Sequence, residues 1–554
     1  MLKRFRVLVL ALVVVILVVS SINLTAAQEP KVLYSAFLPG DLTIDPALAR
    51  WVNEIQVVGM MYVGLTTFDE TTAELQPALA TEWTVSDDYK TFTFTMMQDV
   101  PWVKYDAEKG EVVQVTDEAG NVRVVTAHDV VYGFNRTLDP ATGSEYSSVL
   151  APWVVGGSER LAGETVPLGI EALDDYTVQI TSPRPASYIP YIYGLWMARP
   201  QPQWAIEEFG DTWTELGNFP SYGPYALKVY EHDIEIAIIR NPFWPGTESI
   251  PQAKIDEHDW VYLEEPAALT AYEAGELDWL SFVPVADLDR LRVERADELR
   301  IAADVCTYYY GFNVLKPPTD NVHMRRALSM AIDREVITVI TNGGEVPANF
   351  FLRPDMAAAP SAEQYPDFAI YSDLEGAKAE LQAYFDETGL TLETMPEIIL
   401  MHNTSTRHAT IAQAIQQMWK DGLGIEVQIA SQDSNVYNET LRRDAPAIFR
   451  KGWCWDYPDS ASFLTDVFRY VGPDSNNNTN WSSEEYNSLV DQASVMFDND
   501  ARRELYAQAE YLLVNKDAAI APIYYYTVQQ LTKPYVMRSY ALDKLERLNK
   551  WDIE

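Results

Sequence analysis

From Lys31 onward, this 554-residue chain alternates short apolar runs of β type with capped segments of helical type, without repeats or low-complexity tracts. That alternation most limits what the chain can fold into. Val32 to Phe37 reads as a first strand. Tyr89-Lys-Thr-Phe-Thr-Phe-Thr-Met96 places Phe92, Phe94 and Met96 alternately with threonines, the pattern of a half-buried strand. Thr126-Ala-His-Asp129 is a capping box: hydroxyl and carboxylate satisfy free N–H groups at a helix start, before the apolar Val130, Val131 and Phe134. Ser372-Asp-Leu-Glu375 reads as a second box, whose helix turns Leu374, Ala377 and Leu381 inward. Residues 321 to 336 read as one helix, with Met324, Leu328 and Ile332 along one face. Ring-rich strands follow at 304 to 313 and 521 to 526. Mixed elements with short connections predict α/β lobes, and this length predicts two or three of them.

One stretch concentrates unusual chemistry: Ile448-Phe-Arg-Lys-Gly-Trp-Cys-Trp-Asp-Tyr-Pro458. It reads as a buried strand running into a proline turn. Arg450 and Asp456 are six apart, so an extended chain at ~3.3 Å per residue sets them on one face about 20 Å from end to end. Such a pair could measure a short zwitterion. Taken alone, the two charges fit a structural network better.

The N-terminus carries an address. Lys3, Arg4 and Arg6 precede an apolar run from Val7 to Val19, then small residues to Ala27. This is the pattern of an export signal cleaved after residue 27, and the run is shorter than the ~20 residues of a membrane span. A retained anchor is the alternative. Either way the rest is expected outside the cytoplasm, in a periplasm or on the outer face of the envelope. Cys306 and Cys454 are the only cysteines. Export makes a disulfide plausible, and two buried thiols are the alternative.

The formal net charge of −40 is spread along the chain and repels phosphate backbones and anionic lipid, which argues against nucleic-acid partners and membrane-surface roles. The sequence holds no Gly-x-x-x-x-Gly-Lys loop, no Gly-x-Ser-x-Gly elbow and no His-Glu-x-x-His motif. The sequence therefore offers no recognised signature for nucleotide hydrolysis, serine hydrolysis or zinc proteolysis. With 81 acids, a carboxylate pair for a hydrolase can still be drawn.

With these segments in place, the chain resembles the oligopeptide-binding, family 5 class of substrate-binding proteins of ABC importers. The likeness is carried in order by Thr126-Ala-His-Asp-Val-Val-Tyr132, Asp139-Pro-Ala-Thr-Gly-Ser-Glu-Tyr146, Cys306-Thr-Tyr-Tyr-Tyr310 and Met324-Arg-Arg-Ala-Leu328. It continues with Asn403-Thr-Ser405 and His408, Arg450-Lys-Gly-Trp-Cys-Trp-Asp-Tyr457, Asp474-Ser-Asn-Asn-Asn-Thr479 and Tyr524-Tyr-Tyr526. The resemblance implies a three-lobe fold of the periplasmic-binding-protein type: two main lobes around a hinge and an inserted lobe. The implied division is lobe I at 28–62, 203–305 and 528–554, lobe II at 63–202, and lobe III at 306–527.

The resemblance further implies a binder and not an enzyme, with no cofactor and no metal, a short peptide as ligand, a monomer as the working unit, and delivery to a permease pair driven by cytoplasmic ATPases. It pairs Cys306 with Cys454. It assigns Asp456 to the peptide α-ammonium, and Arg450 and His408 to its α-carboxylate. Backbone atoms of Gly452 and Cys454 would hold the peptide main chain, and Tyr146, Tyr309, Trp453 and Tyr526 would supply ring or hydroxyl contacts. The plainer readings are a helix-start role for His408, a turn cap for Asp456, and core packing for the tyrosine runs. Three departures bear on cargo choice: Arg50 stands near a family acid, Thr341-Asn342 near a family lysine, and residues 432 to 436 lack a family tryptophan. A sugar, an opine or a nickel chelate is the alternative cargo on the same fold.

Overall fold

The computed structural model describes residues 30–40, 42–470, 476–543 and 545–554. The export signal read over residues 1–27, with Asp474 and Ser475 of the asparagine-rich motif, lies outside the described residues.

One sheet of eleven strands forms the frame. Its main strands are β1 Val32–Phe37, β2 Tyr225–Glu231, β3 Glu235–Arg240, β4 Glu257–Tyr262, β5 Trp279–Leu280, β6 Leu299–Phe312, β7 Ile398–Asn403, β8 Val427–Gln432, β9 Ile448–Cys454 and β10 Ile520–Thr532. They lie in the order β2-β3-β4-β1-β5-β10-β6-β9-β7-β8, and Val346–Pro347 adds to β10. β6 and β10 are the longest, at 14 and 13 residues. Leu299 to Ala303 of β6 pairs with the end of β10 beside β5. Thr307 to Gly311 pairs with the start of β10 beside β9. These two strands therefore carry the sheet from one lobe into the next. Their register shifts between Ala303 and Thr307, a bulge at the crossing.

A separate four-stranded antiparallel sheet is inserted between β1 and β2. It orders Ala80–Val85, Thr91–Met96, Thr177–Thr181 and Ile170–Asp174. Phe92, Phe94 and Met96 are all buried, as their alternation predicts. The multi-lobe α/β fold expected from the sequence is the one observed.

Period-two alternation sorts the ring-rich strands. Tyr308, Tyr310 and Tyr524 join Ile398 and Ile448 in a core on one face of the β6–β10 region. Tyr309 joins Phe351, Phe463 and Tyr506 in a core on the other.

Local expectations fare unevenly. Thr126 and Asp129 do cap the helix Ala127–Thr137, with Thr126 N donating to Asp129 Oδ2 at 2.8 Å. The long helix read over 321 to 336 is two helices, Val322–Met330 and Arg334–Thr341. Asp333 interrupts it, because its carboxylate accepts from Val336 N at 3.1 Å and starts a new helix. The helix Leu374–Thr388 is capped by Asp373, which accepts from Gly376 N, and Ser372 donates instead to Ile332 O. Leu374 then falls on the outer surface at 43 % exposure, while Ala377 and Leu381 are buried.

Candidate functional site

β9 runs antiparallel to β6 along its whole length, from Cys306 opposite Cys454 to Phe312 opposite Ile448. Its other edge meets β7 only at Ile448 and Phe449. From Arg450 to Cys454 that edge has no strand partner among the described residues. The direction of its backbone groups can be worked out. Trp455 N donates to Val305 O, so residue 455 points toward β6, and by alternation so do 453 and 451. The N–H and C=O groups of 450, 452 and 454 therefore point to the open edge. Tyr437 Oη donates to Arg450 O there at 2.6 Å, leaving Gly452 and Cys454 facing the gap. A Cβ on Gly452 would come within 3.2 Å of Tyr526 Oη and 3.3 Å of Arg450 Nη2, so glycine keeps this crowded site clear.

Cys454 is bonded to Cys306, directly opposite in the ladder. The bond closes a span of 148 residues and fixes β9 to the strand that crosses between lobes.

Two charged groups flank the open edge. At one end stands Arg450. Its Nη2 donates to Tyr526 Oη, its Nη1 to Asn403 Oδ1 at 3.4 Å, and its guanidinium lies 4.8 Å from the Tyr308 ring centroid. Among the described residues it has no carboxylate partner within ion-pair distance. His408 sits behind the same ring, its Nδ1 3.4 Å from Tyr308 Oη. Burial, then the charges of Arg450, His402 and Arg407, hold His408 down to about 2, so its imidazole is neutral at physiological pH. Ser405 caps the helix Thr406–Leu423 that presents it.

At the other end stands Asp456, two residues past the end of β9, where ladder alternation no longer fixes its direction. It lines a partly closed chamber beside the inserted lobe. Its backbone N donates to Ser462 Oγ at 3.0 Å. Its Oδ2 is shielded from solvent and makes no hydrogen bond among the described residues. Burial first, and the nearby charge of Asp466 second, push its carboxyl up to about 8, against a contact from the Tyr146 hydroxyl that favours the anion. Tyr146 is held by edge-on packing against Trp196, 4.6 Å between centroids.

The predicted residues thus fall into separate groups. Arg450, His408, Gly452 and Tyr526 share one, and Asp456 and Tyr146 share the other. Two side chains do not follow the reading made for them. Tyr309 is 1 % exposed, with its ring packed 5.1 Å from Phe351, because odd positions of β6 face the core opposite Tyr308. Trp453 donates its indole N–H to Ser462 O at 2.9 Å and packs against that same core. Its residue number puts its backbone toward β6, too. Arg50, the departure from a family acid, pairs with Glu145 at 2.9 Å on the exposed rim.

Sequence reasoning missed Tyr308, the ring platform under Arg450, and Asp466. Asp466 accepts from Tyr457 Oη at 2.8 Å and is itself pushed up to about 7, chiefly by burial. A second acid ten residues after Asp456 was the available signal.

Residues 74–475 match the model of the bacterial extracellular solute-binding proteins, family 5. The chain belongs to that family. It is 30% identical over 516 residues to the periplasmic oligopeptide-binding protein OppA of Salmonella typhimurium, covering 91% of this chain and 89% of that one. Among solved structures, it is similar to Haemophilus influenzae OppA in complex with the peptide RPPGFSPFR, with a TM-score of 0.78 and 27% identity over 95% of this chain and 99% of that chain. It is likewise similar to the Escherichia coli murein tripeptide binding protein MppA, with a TM-score of 0.79 and 27% identity over 96% and 99% of the two chains. Members of this family are transport binders, which agrees with the lack of any recognised hydrolase motif in the sequence. Among the described residues, no helix is long and apolar enough to cross a membrane.

Proposed function

We propose that this chain is the exported binding component of an ABC importer for short peptides. The observation that carries the reading is a strand edge, Gly452 to Cys454, that has no strand partner among the described residues and leads to a carboxyl oxygen with no hydrogen-bond partner among them. An extended peptide can add to that edge through its main chain, a mode that accepts many sequences. Its α-ammonium would then meet Asp456. A buried carboxylate gains most from a cation when none is already fixed beside it. Arg450 would meet the α-carboxylate as a bidentate donor, and His408 would contribute a neutral hydrogen bond. Tyr146 and Tyr526 would contact the guest through their hydroxyls. The relatives named for oligopeptides, and the peptide-bound OppA structure, support this cargo class.

Closure is expected to follow the proposed division, with lobe I at 28–62, 203–305 and 528–554, lobe II at 63–202 and lobe III at 306–527. Cargo touching two lobes stabilises their closed arrangement differentially. That arrangement, as a monomer, would be presented to a permease pair coupled to cytoplasmic ATPases. Native mass spectrometry of the protein purified from its own host tests the cargo class. A ladder of co-purified peptide masses is expected; a sugar, an opine or a metal chelate in their place overturns it.

A further inference from the structure

The chamber reached by Asp456 is lined by Gly59 and Thr66 and by three basic side chains, Arg199, Arg547 and Lys550. It leaves about 80 Å³ for water centres, enough for several waters or one short side chain. Its charges are not all matched. Arg547 pairs with Asp543 at 3.0 Å, and Lys550 pairs with Glu70. Arg199 has no carboxylate within ion-pair distance among the described residues. Its Nη1 donates to the backbone oxygens of Tyr62 at 2.8 Å and Val58 at 3.3 Å, and its Nε is buried without a partner. Asp456 is the acid without a cation: its carboxyl is held protonated by burial, and its Oδ2 makes no hydrogen bond among the described residues. One unpaired basic group and one unpaired acidic group thus line the same chamber.

We infer that this chamber is a subsite for an anionic side chain on the cargo's first residue, so that peptides beginning with glutamate or aspartate are preferred. The inference rests on the reading of Asp456 as the ammonium partner. A guest of this class serves both groups at once: its ammonium stabilises the ionised form of Asp456, and its side-chain carboxylate lies toward Arg199. A neutral first side chain leaves Arg199 unmatched. A cationic one adds a fourth positive charge to a space already bounded by three.

Gly59 gives a way to close the chamber without disturbing the fold. It lies in the helix Val52–Met61, and a Cβ there would meet only Arg199 Nη1, at 3.9 Å. Leucine is also the better helix former, so Gly59→Leu is expected to fold. Calorimetric titration would compare Glu-, Gln-, Ala- and Lys-initiated alanine peptides of three to five residues, on the wild type and on Gly59→Leu. The wild type is expected to bind the Glu peptide about tenfold tighter than the Gln peptide, and the Lys peptide most weakly, one charge-assisted contact being of that order. Gly59→Leu is expected to bring the Glu-to-Gln ratio near one while the Ala peptide stays within about threefold of wild type. A wild-type Glu-to-Gln ratio of one or below overturns the inference. An unchanged ratio in Gly59→Leu also overturns it. N-acetylated Ala peptides separate the two levels. If acetylation abolishes binding but Glu and Gln bind alike, the chamber inference fails alone. If acetylation changes nothing, or if no peptide binds, the Asp456 reading fails and takes the inference with it.

Discussion

Arg450 and Asp456 sit at opposite ends of the same short segment, both half-buried, and the protein treats them differently. Arg450 is surrounded by neutral groups that accept from it or underlie it: Tyr526 Oη, Asn403 Oδ1 and the Tyr308 ring. These leave its charge uncancelled, and its Nε is buried without a hydrogen-bond partner among the described residues. Asp456 has a backbone N–H tied to Ser462 and one carboxylate oxygen tied to nothing. The comparison teaches that the two ends need not contribute equally. Arg450 already has two side-chain oxygens to donate to and a ring beneath it, whereas the Asp456 carboxyl, held protonated by burial, would gain a cation only from a guest. Most of the binding free energy from charge is therefore expected at the Asp456 end.

The largest expected effect tests that asymmetry directly. Asp456→Asn should weaken binding of a free-amine tripeptide by about 3–5 kcal/mol, the usual cost of breaking a buried charge pair. The same change should leave an N-acetylated peptide nearly unaffected. Titration calorimetry reads both, and equal wild-type affinity for the two forms removes the anchor role. Next in size is the staple between the two ends. Cys306→Ser with Cys454→Ser should lower unfolding stability by about 2–5 kcal/mol, as expected for a long closed loop; denaturant unfolding measures it.

A third test uses pH. Asp456 releases its proton near 8 in the empty protein, far above the ordinary carboxyl value of 3.8. Between those values the folded chain keeps a proton that the unfolded chain has lost, so stability falls as pH rises through that window. Asp456→Asn should therefore stabilise the empty protein at pH 8 by about 1–3 kcal/mol, and hardly at all at pH 4. Thermal unfolding at the two pH values checks this. Equal effects at both would show that the carboxyl is not strained by burial. The smallest effect belongs to the Arg450 end: Tyr526→Phe should cost about 0.5–1.5 kcal/mol in binding, one hydrogen bond to the guanidinium being lost among several contacts.

What could be read from the sequence was local. The Thr126 box is set by residues three apart, and it forms as written. The box at Ser372 failed because Asp373 competes for the same cap with a better acceptor, a contest spacing cannot settle. The break at Asp333 was missed for the same reason. The strand at 448 to 454 was legible from its composition, and so was the special standing of Arg450 and Asp456. Which face of the sheet each tyrosine of the 308 to 310 run packs against was not legible, because parity depends on register with β9 and β10. Nor was Arg199, which reaches the chamber of Asp456 from 257 positions away in the chain. Only the folded arrangement shows that neither group has an ion-pair partner among the described residues.

The Cys306–Cys454 bond has a mechanical consequence. It clamps the receiving edge to a strand that runs straight into the neighbouring lobe, so the edge cannot lag behind when the lobes part. Amide contacts along Gly452 and Cys454 would then let go together instead of peeling off singly, and cargo would leave in one concerted step.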